Sequence, residues 1–326
     1  MYEFSRILNK LETMERDAQI LILGHTGMVG SSLLRHFDRQ GYKKIVGASS
    51  KEVDLTSASQ TQDFISKTKP DVVILAAAKV GGILSNKKYP TEFLLENLSI
   101  QTNVITASHQ SNVSKLVFFG SSCIYPKFAH IPIEEASLLT GSLEETNKSY
   151  AIAKIAGVTL IDALRSQFGR KYITVMPTSL YGPGDNFDKE YAHVIPAMIR
   201  KFIEAKDNGV TTVQFMGDGS PLREFLYVDD LARAIEVAID KYDDYGPLNI
   251  GSSSEVSIAE LAELIKSLVG FEGEILWDTE SPNGTLRKLI DSRRIHALGW
   301  EPSVSLREGL INLIQWYKNE LLLRKD

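Results

Sequence analysis

The chain is expected to fold as an α/β protein built on a doubly wound parallel sheet, with a second, smaller α/β domain beside it. Two observations carry this. Short apolar runs at 19–23, 44–48, 71–76, 115–119 and 172–176 alternate with longer helix-like stretches at 28–40, 57–67, 91–111 and 149–168. Strand and helix in alternation give parallel strands joined by right-handed crossovers. The first strand also runs directly into Gly24-His25-Thr26-Gly27-Met28-Val29-Gly30 at a helix opening, the strand-turn-helix unit that begins such sheets.

After Tyr181 the texture changes, because Gly182, Pro183, Gly184, Gly217, Gly219 and Pro221 break the chain into short pieces. Residues 1–181 are therefore assigned to the first domain, and 182–221 with 252–326 to the second. The stretch 223–231 reads as a strand and a capped helix running to Asp240, so 222–251 is expected to return to the first sheet.

Composition removes several function classes. With 43% hydrophobic and 24% charged residues in 326, the chain is globular rather than disordered. It carries 36 Lys and Arg against 41 Asp and Glu, a net charge of −5, and so lacks the basic excess that drives nucleic-acid binding. The one cysteine, Cys123, cannot close an internal disulfide, which favours a reducing, cytoplasmic compartment. Residues 1–17 carry charges throughout and read as neither signal peptide nor membrane anchor. Within them Phe4, Ile7, Leu8, Leu11 and Met14 recur at helical spacing, which predicts an amphipathic helix docked on the domain or on a partner subunit. No metal is expected.

Gly24, Gly27 and Gly30 let the backbone turn tightly, approach a pyrophosphate and pack helix against strand, while the helix N-terminus favours negative charge. An ordinary tight turn would use the same glycines, but their place after the first strand points to a dinucleotide. After the second strand an NAD-binding sheet places an acidic residue on the ribose 2′-hydroxyl. Here the chain reads Ala48-Ser49-Ser50-Lys51, and hydroxyls with a cation suit a 2′-phosphate, so NADPH is expected. A solvated surface lysine followed by Glu52 is an equal reading of Lys51. Asp54 is placed to meet the adenine edge.

Tyr150 and Lys154 stand one helical turn apart on one face. A phenol of pKa about 10 is a poor proton-transfer group near neutrality, and positive charge from Lys154 and a nicotinamide would favour its phenolate. The strand at 115–119 ends in Gly120-Ser121-Ser122-Cys123-Ile124-Tyr125-Pro126, which puts hydroxyls and the thiol at a carboxyl strand end, where such sheets bind ligands. Ser121 is positioned to donate to a substrate carbonyl. Taken singly, a cysteine after a strand is more often core, and a helix-surface pair is the alternative reading of Tyr150 with Lys154.

The glycine pattern, Ser121 and Tyr150-Ala151-Ile152-Ala153-Lys154 together resemble the extended short-chain dehydrogenase/reductase family, from about Gln19 onward. Ala76-Ala77-Ala78-Lys79-Val80-Gly81-Gly82, Ser121 to Lys127 and His193-Val194-Ile195-Pro196-Ala197 are similar to the branch acting on GDP-4-keto-6-deoxy sugars. That resemblance implies a Rossmann sheet and NADPH-dependent reduction at C4 by Ser121, Tyr150 and Lys154. It also implies prior epimerisation at C3 and C5, with Cys123 and His193 as base and acid. The chemistry is sound, since a 4-keto group acidifies both neighbouring carbons and thiolate and imidazole exchange protons near neutrality.

The resemblance further implies a cofactor lined by Gly24, Thr26, Gly27, Met28, Val29 and Gly30, then by Ser50, Lys51, Asp54 and Leu55. Ala76, Ala77 and Ala78, Phe119, Gly120 and Ser121, Tyr150 and Lys154, Pro177, Thr178, Ser179 and Leu180, and His193 complete that lining. For the GDP-sugar it implies Ser122, Lys201, Met216, Arg223, Asn283 and Lys288, and for assembly a homodimer paired through the helices at 91–111 and 149–168. Thr26 and Ser50 stand where arginines are common, Met216 where a tryptophan occurs, and Asn283 where an aspartate is expected. The competing readings are a reductase or epimerase/reductase of another GDP-4-keto sugar such as a ketoheptose, and a non-catalytic NADPH-binding regulator. A 4,6-dehydratase would carry an Asp–Glu pair where this chain has Ser122-Cys123.

Overall fold

A computed structural model describes residues 14–281 and 283–323. The first half runs β1 (Gln19–Leu23), α1 (Met28–Arg39), β2 (Lys44–Ala48), α2 (Ala58–Thr68), β3 (Val72–Leu75), α3 (Ile83–Lys88), α4 (Pro90–Gln110), β4 (Lys115–Phe119), α5 (Lys148–Phe168) and β5 (Lys171–Pro177). The second half runs β6 (Ser179–Tyr181), α6 (Val194–Asp207), β7 (Thr212–Met216), β8 (Leu222–Tyr227), α7 (Val228–Lys241), β9 (Pro247–Ile250), β10 (Glu255–Ser257), α8 (Ile258–Val269), β11 (Glu274–Asp278), β12 (Arg287–Lys288), α9 (Arg293–Ala297) and α10 (Leu306–Leu323). The amphipathic helix expected over Phe4 to Met14 lies outside the described residues apart from Met14, whose backbone N–H donates to Asp240 at 2.8 Å.

Six parallel strands form the main sheet in the order β2-β1-β3-β4-β5-β9, each pair in parallel register. Both faces are covered, which is why the strands are apolar throughout rather than alternating. Leu21, Leu23, Leu75, Phe118 and Ile155 fill one face, and Ile20, Ile22, Phe37, Val117, Ile235 and Trp300 the other. Each such fully buried aliphatic side chain contributes ~1.5–3 kcal/mol by leaving water. Strand order reverses between β1 and β3, so the crevice at their carboxyl ends is the expected ligand site of the sheet.

The return of the chain differs from expectation in one strand. Strand β8 pairs with β6, β10 and β12 in a second, four-stranded sheet, while α7 packs on α1 and β9 supplies the sixth strand of the main sheet. The apolar run Phe225-Leu226-Tyr227 suits burial in either sheet, and periodicity alone does not choose between them. Helix α7 also begins without a side-chain cap; Asp229 and Asp230 in its first turn provide the negative charge that its N-terminus favours. A third core of Phe202, Phe215, Leu261, Ile265, Phe271 and Leu313 lies among α6, β7, α8 and α10.

Candidate active site

The carboxyl ends of β2, β1, β3, β4 and β5 lie side by side and carry nearly all the residues singled out for a dinucleotide. Gly24 has φ +87°, a left-handed conformation natural to glycine, and a Cβ there would stand 2.8 Å from the backbone of Ala77. The phosphate loop and the Ala76 to Ala78 segment are therefore in contact. A Cβ on Gly30 would stand 2.2 Å from the Gly24 carbonyl oxygen, whereas one on Gly27 would meet only that oxygen, at 3.5 Å. Gly30 thus closes the helix onto the strand and Gly27 keeps the outer side of the turn open. Helix α1 starts without a side-chain cap, so its first-turn N–H groups are left for an anion. A pyrophosphate fits this arrangement. Gly30→Ala should lower the Tm and weaken NADPH binding at least tenfold, because the clash is with backbone that cannot step aside; thermal unfolding and a fluorescence titration check both.

Other members of the expected lining fall into different classes. Ser50 and Lys51 are exposed beyond β2, where Glu52 caps the turn by accepting from the Ser49 N–H at 2.7 Å and from its hydroxyl. Those bonds hold the Glu52 carboxyl below its usual range. Asp54 is likewise engaged locally, accepting from the Thr56 N–H and hydroxyl at 2.9 and 2.7 Å. Leu55 is buried in the core beneath the crevice. Thr178 joins the two sheets, donating its hydroxyl to the Glu224 carbonyl at 3.2 Å and its N–H to Ile250 at 3.0 Å.

Beyond β4 a short 3-10 turn, Ser122–Ile124, starts on the Ser121 hydroxyl, which accepts from the Cys123 N–H at 3.3 Å. This turn brings Ser121 and Cys123 to the edge of the crevice half-buried, while Ser122 points into a more enclosed place. Tyr150 lies edge-on to Phe93 with ring centroids 6.3 Å apart. Burial, reinforced by the charge of Cys123, pushes its phenol well above the usual range against the lowering effect of a hydrogen bond with Ser121. Lys154 is only 3% exposed and donates to the Phe119 carbonyl at 2.8 Å. Burial alone drives its ammonium down to about 7. Burial thus keeps the proton on the phenol, and Lys154 does not supply the positive charge expected to favour phenolate, because burial drives it toward its own neutral form.

Cys123 behaves in the opposite way. Burial would raise the thiol, but the Lys288 ammonium 3.6 Å from Sγ, the Ser121 hydrogen bond and the charge of Arg223 together hold it below the ordinary range. Lys288 sits directly opposite Arg223 where β12 pairs β8. Lys201 and Met216 are further out on the rim; Lys201 donates to the Gln214 carbonyl at 3.0 Å and Met216 is 58% exposed. Asn283 is exposed and accepts from the Asp218 N–H at 3.1 Å.

His193 stands at the N-terminus of α6, 45% exposed, with its Nδ1 4.0 Å from the Asp185 carboxylate. The loop is held by the Lys88–Glu190 ion pair and by stacked Tyr89 and Tyr191, and a Cβ on Gly82 would lie 3.0 Å from the Ala192 carbonyl oxygen. Two residues near the site were not singled out from the sequence. Asp185 is buried, with Oδ2 unpartnered among the described residues. Its signal was the Gly182-Pro183-Gly184 turn, whose Gly184 packs on Met28 of α1. His25 lies over Gly47, where a Cβ would be 2.5 Å from the ring; glycine inside β2 was the available sign of that close approach.

Similarity to known proteins agrees with this geometry. The chain is 53% identical over 303 residues to GDP-L-fucose synthase 1 of Arabidopsis thaliana, covering 93% of this chain and 94% of the relative. A solved GDP-L-fucose synthetase from Naegleria fowleri bound to NADP superposes with a TM-score of 0.87 at 29% identity, over 95% of this chain and 97% of the other. A GDP-6-OMe-4-keto-L-xylo-heptose reductase from C. jejuni does so with a TM-score of 0.88 at 32% identity, over 94% and 99%. Residues 20–251 match the model of the NAD dependent epimerase/dehydratase family. With the phosphate loop, the Tyr150–Lys154 pair and that match in agreement, the chain belongs to the NAD-dependent epimerase/dehydratase family of extended short-chain dehydrogenases/reductases.

Proposed function

We infer that the chain catalyses the GDP-L-fucose synthase reaction, in which GDP-4-keto-6-deoxy-D-mannose is epimerised at C3 and C5 and reduced at C4 with NADPH. The observation that carries it is the meeting, at the end of β4, of a thiol held below its ordinary pKa and a phenol held above its own. Two proton-transfer groups of opposite readiness suit a reaction that first removes protons from carbon and later supplies one to oxygen. The 53% identity to a GDP-L-fucose synthase over nearly the whole chain supports the same substrate.

In this reading the Cys123 thiolate takes the proton from C3, gives it up to solvent and then takes the proton from C5, while the Ser121 hydroxyl steadies the charge that spreads onto the C4 oxygen. His193, oriented by Asp185, gives a proton to the opposite face each time and is reprotonated from solvent between the two steps. The phosphate loop, Ser50, Lys51 and the residues after β3, β4 and β5 would hold NADPH, which would bring the hydride for C4. Tyr150 then gives its proton to the C4 oxygen, and Lys154 fixes Tyr150 and the end of β4 in place. Arg223 and Lys288 face the anionic GDP moiety, with Lys201, Met216 and Asn283 as its outer contacts and Ser122 as an enclosed one. Among the described residues no group of His, Cys, Asp and Glu could hold a metal.

We also propose a cytoplasmic homodimer. The unpaired Cys123 supports the compartment, and exposed Leu95 on α4 with Ile152 and Phe168 on α5 supports pairing through those helices.

The test is NADPH oxidation on mixing with GDP-4-keto-6-deoxy-D-mannose in heavy water. Oxidation with deuterium at C3 and C5 and a GDP-L-fucose product is expected. Oxidation without deuterium would instead favour a simple 4-reductase, the reading to which the heptose reductase structure lends weight.

A further inference from the structure

We propose that Lys288 is a positioning residue for Cys123, its ammonium serving as the counter-ion that keeps the thiol as a thiolate before any sugar arrives. The proposal deepens the epimerase/reductase reading and rests on it. Lys288 Nζ lies 3.6 Å from Cys123 Sγ, across 165 residues of sequence, and the fold fixes that approach from several sides. Strand β12 is two residues long, and its pairing with β8 sets Lys288 directly opposite Arg223, so that both project from the same face of the sheet. Buried Glu224, next along β8, accepts from the Ile290 N–H at 3.2 Å and from the Ser253 N–H at 2.7 Å. The chain two residues past Lys288 is therefore tied to the strand on which Arg223 sits.

The neighbouring cation shows what is particular to Lys288. Arg287, pointing to the other face, is taken up by Glu255 through bonds of 3.0, 3.0 and 2.6 Å. Among the described residues no carboxylate pairs with Lys288, and the Arg223 guanidinium donates to the Leu222 carbonyl at 2.7 Å. Two cations are thus turned toward a thiol with no acid between them. The groups facing Cys123 are Lys288 from β12, Arg223 from β8, Tyr150 from α5 and the Ser121 hydroxyl from its own turn. Of these, Tyr150 is neutral near pH 7, the Ser121 hydroxyl favours negative charge on sulfur through its hydrogen bond, and the two cations do so through their charge. Lys288 is the one in contact.

The sign follows directly. A thiolate acts as base above its pKa, so a cation that lowers that pKa extends the base-competent range toward lower pH. Removing the cation moves the inflection up. The experiment follows thiolate absorbance near 240 nm and alkylation of the single cysteine by iodoacetamide against pH, in NADP-bound enzyme without sugar. Wild type should titrate below the free-thiol value of about 8.5. Lys288→Met should move the inflection up by about one pH unit or more and slow alkylation at pH 7 roughly tenfold, while Lys288→Arg should stay near wild type. Lys288→Gln, polar and of similar length, serves as the second variant should methionine disturb folding, and unchanged NADPH affinity shows that either is intact. An inflection that is the same in wild type and the neutral variants would overturn the proposal. Because the measurement contains no sugar, it is separate from the reaction assigned above, whose failure would appear as absent deuterium uptake with the thiolate signal unaltered.

Discussion

Tyr150→Phe is expected to lower the rate of NADPH oxidation by a factor of roughly 10² to 10⁴, the usual contribution of a positioned proton donor, while leaving NADPH affinity within about twofold and deuterium uptake intact. The ring is held by Phe93 and by its helix, and the phenylalanine ring fills the same space, so packing changes little. What disappears is one O–H whose proton the site retains: burial and the charge of Cys123 push the phenol upward, and the Ser121 hydrogen bond only partly offsets them. In the reductive direction that is the useful form, since the C4 oxygen gains a proton as hydride arrives. Stopped-flow oxidation, a fluorescence titration of cofactor and mass spectrometry of the recovered sugar separate the three quantities. Loss of deuterium uptake along with oxidation would show that Tyr150 also takes part in epimerisation. A variant with full turnover would remove it from the chemistry.

Much of this architecture was legible in the sequence, and the reason is local. Strands β1 to β5 are apolar runs set between turn residues, and a parallel sheet covered on both faces requires that pattern; the four expected helices between them match to within one or two residues, while the short α3 was not expected. The placement of β8 was not legible, because the side chains Phe225, Leu226 and Tyr227 are buried in the second sheet just as they would be in the first. Its partners, β6, β10 and β12, are too short to show any periodicity.

The site divides along the same line. Tyr150 and Lys154 announce themselves because a spacing of four on a helix is one turn in space, and Gly24 and Ser121 because each stands just beyond the end of a legible strand. The contact between Cys123 and Lys288 joins residues 165 apart, and the ionisation of the group depends on burial as much as on neighbours. Adjacent positive charge led to an expected phenolate at Tyr150, but desolvation acts on Lys154 as well, and sequence carries no measure of it. Asp185 was hidden for a related reason: an aspartate in a Gly-Pro-Gly turn usually serves the turn, and only the fold sets it beside His193.

Lys154→Met should abolish turnover and yet raise thermal stability at pH 6. The amine is 3% exposed, no carboxylate pairs with it among the described residues, and its neighbours are the Phe119 carbonyl and the rings of Phe118 and Tyr150 at 4.8 and 5.8 Å. With the folded pKa lowered to about 7 from 10.5, the folded state must bury a charge at any pH below 7. Between 7 and 10.5 the unfolded chain binds the extra proton, so this group makes stability rise with pH, and above 10.5 it makes no difference. Methionine has similar volume and no charge, but it leaves the Phe119 carbonyl without its donor, a loss of ~1–3 kcal/mol. A shift of this size corresponds to several kcal/mol at most, so the net gain at pH 6 is on the order of 1–3 kcal/mol, or a few degrees in Tm. At pH 10 the gain should vanish or reverse. Melting curves of both proteins from pH 6 to 10 test this, and a gap in Tm that does not change with pH would mean that Lys154 is not buried as a charged group. A gap that closes as pH rises would measure the stability given up to keep a buried amine beside the phenol.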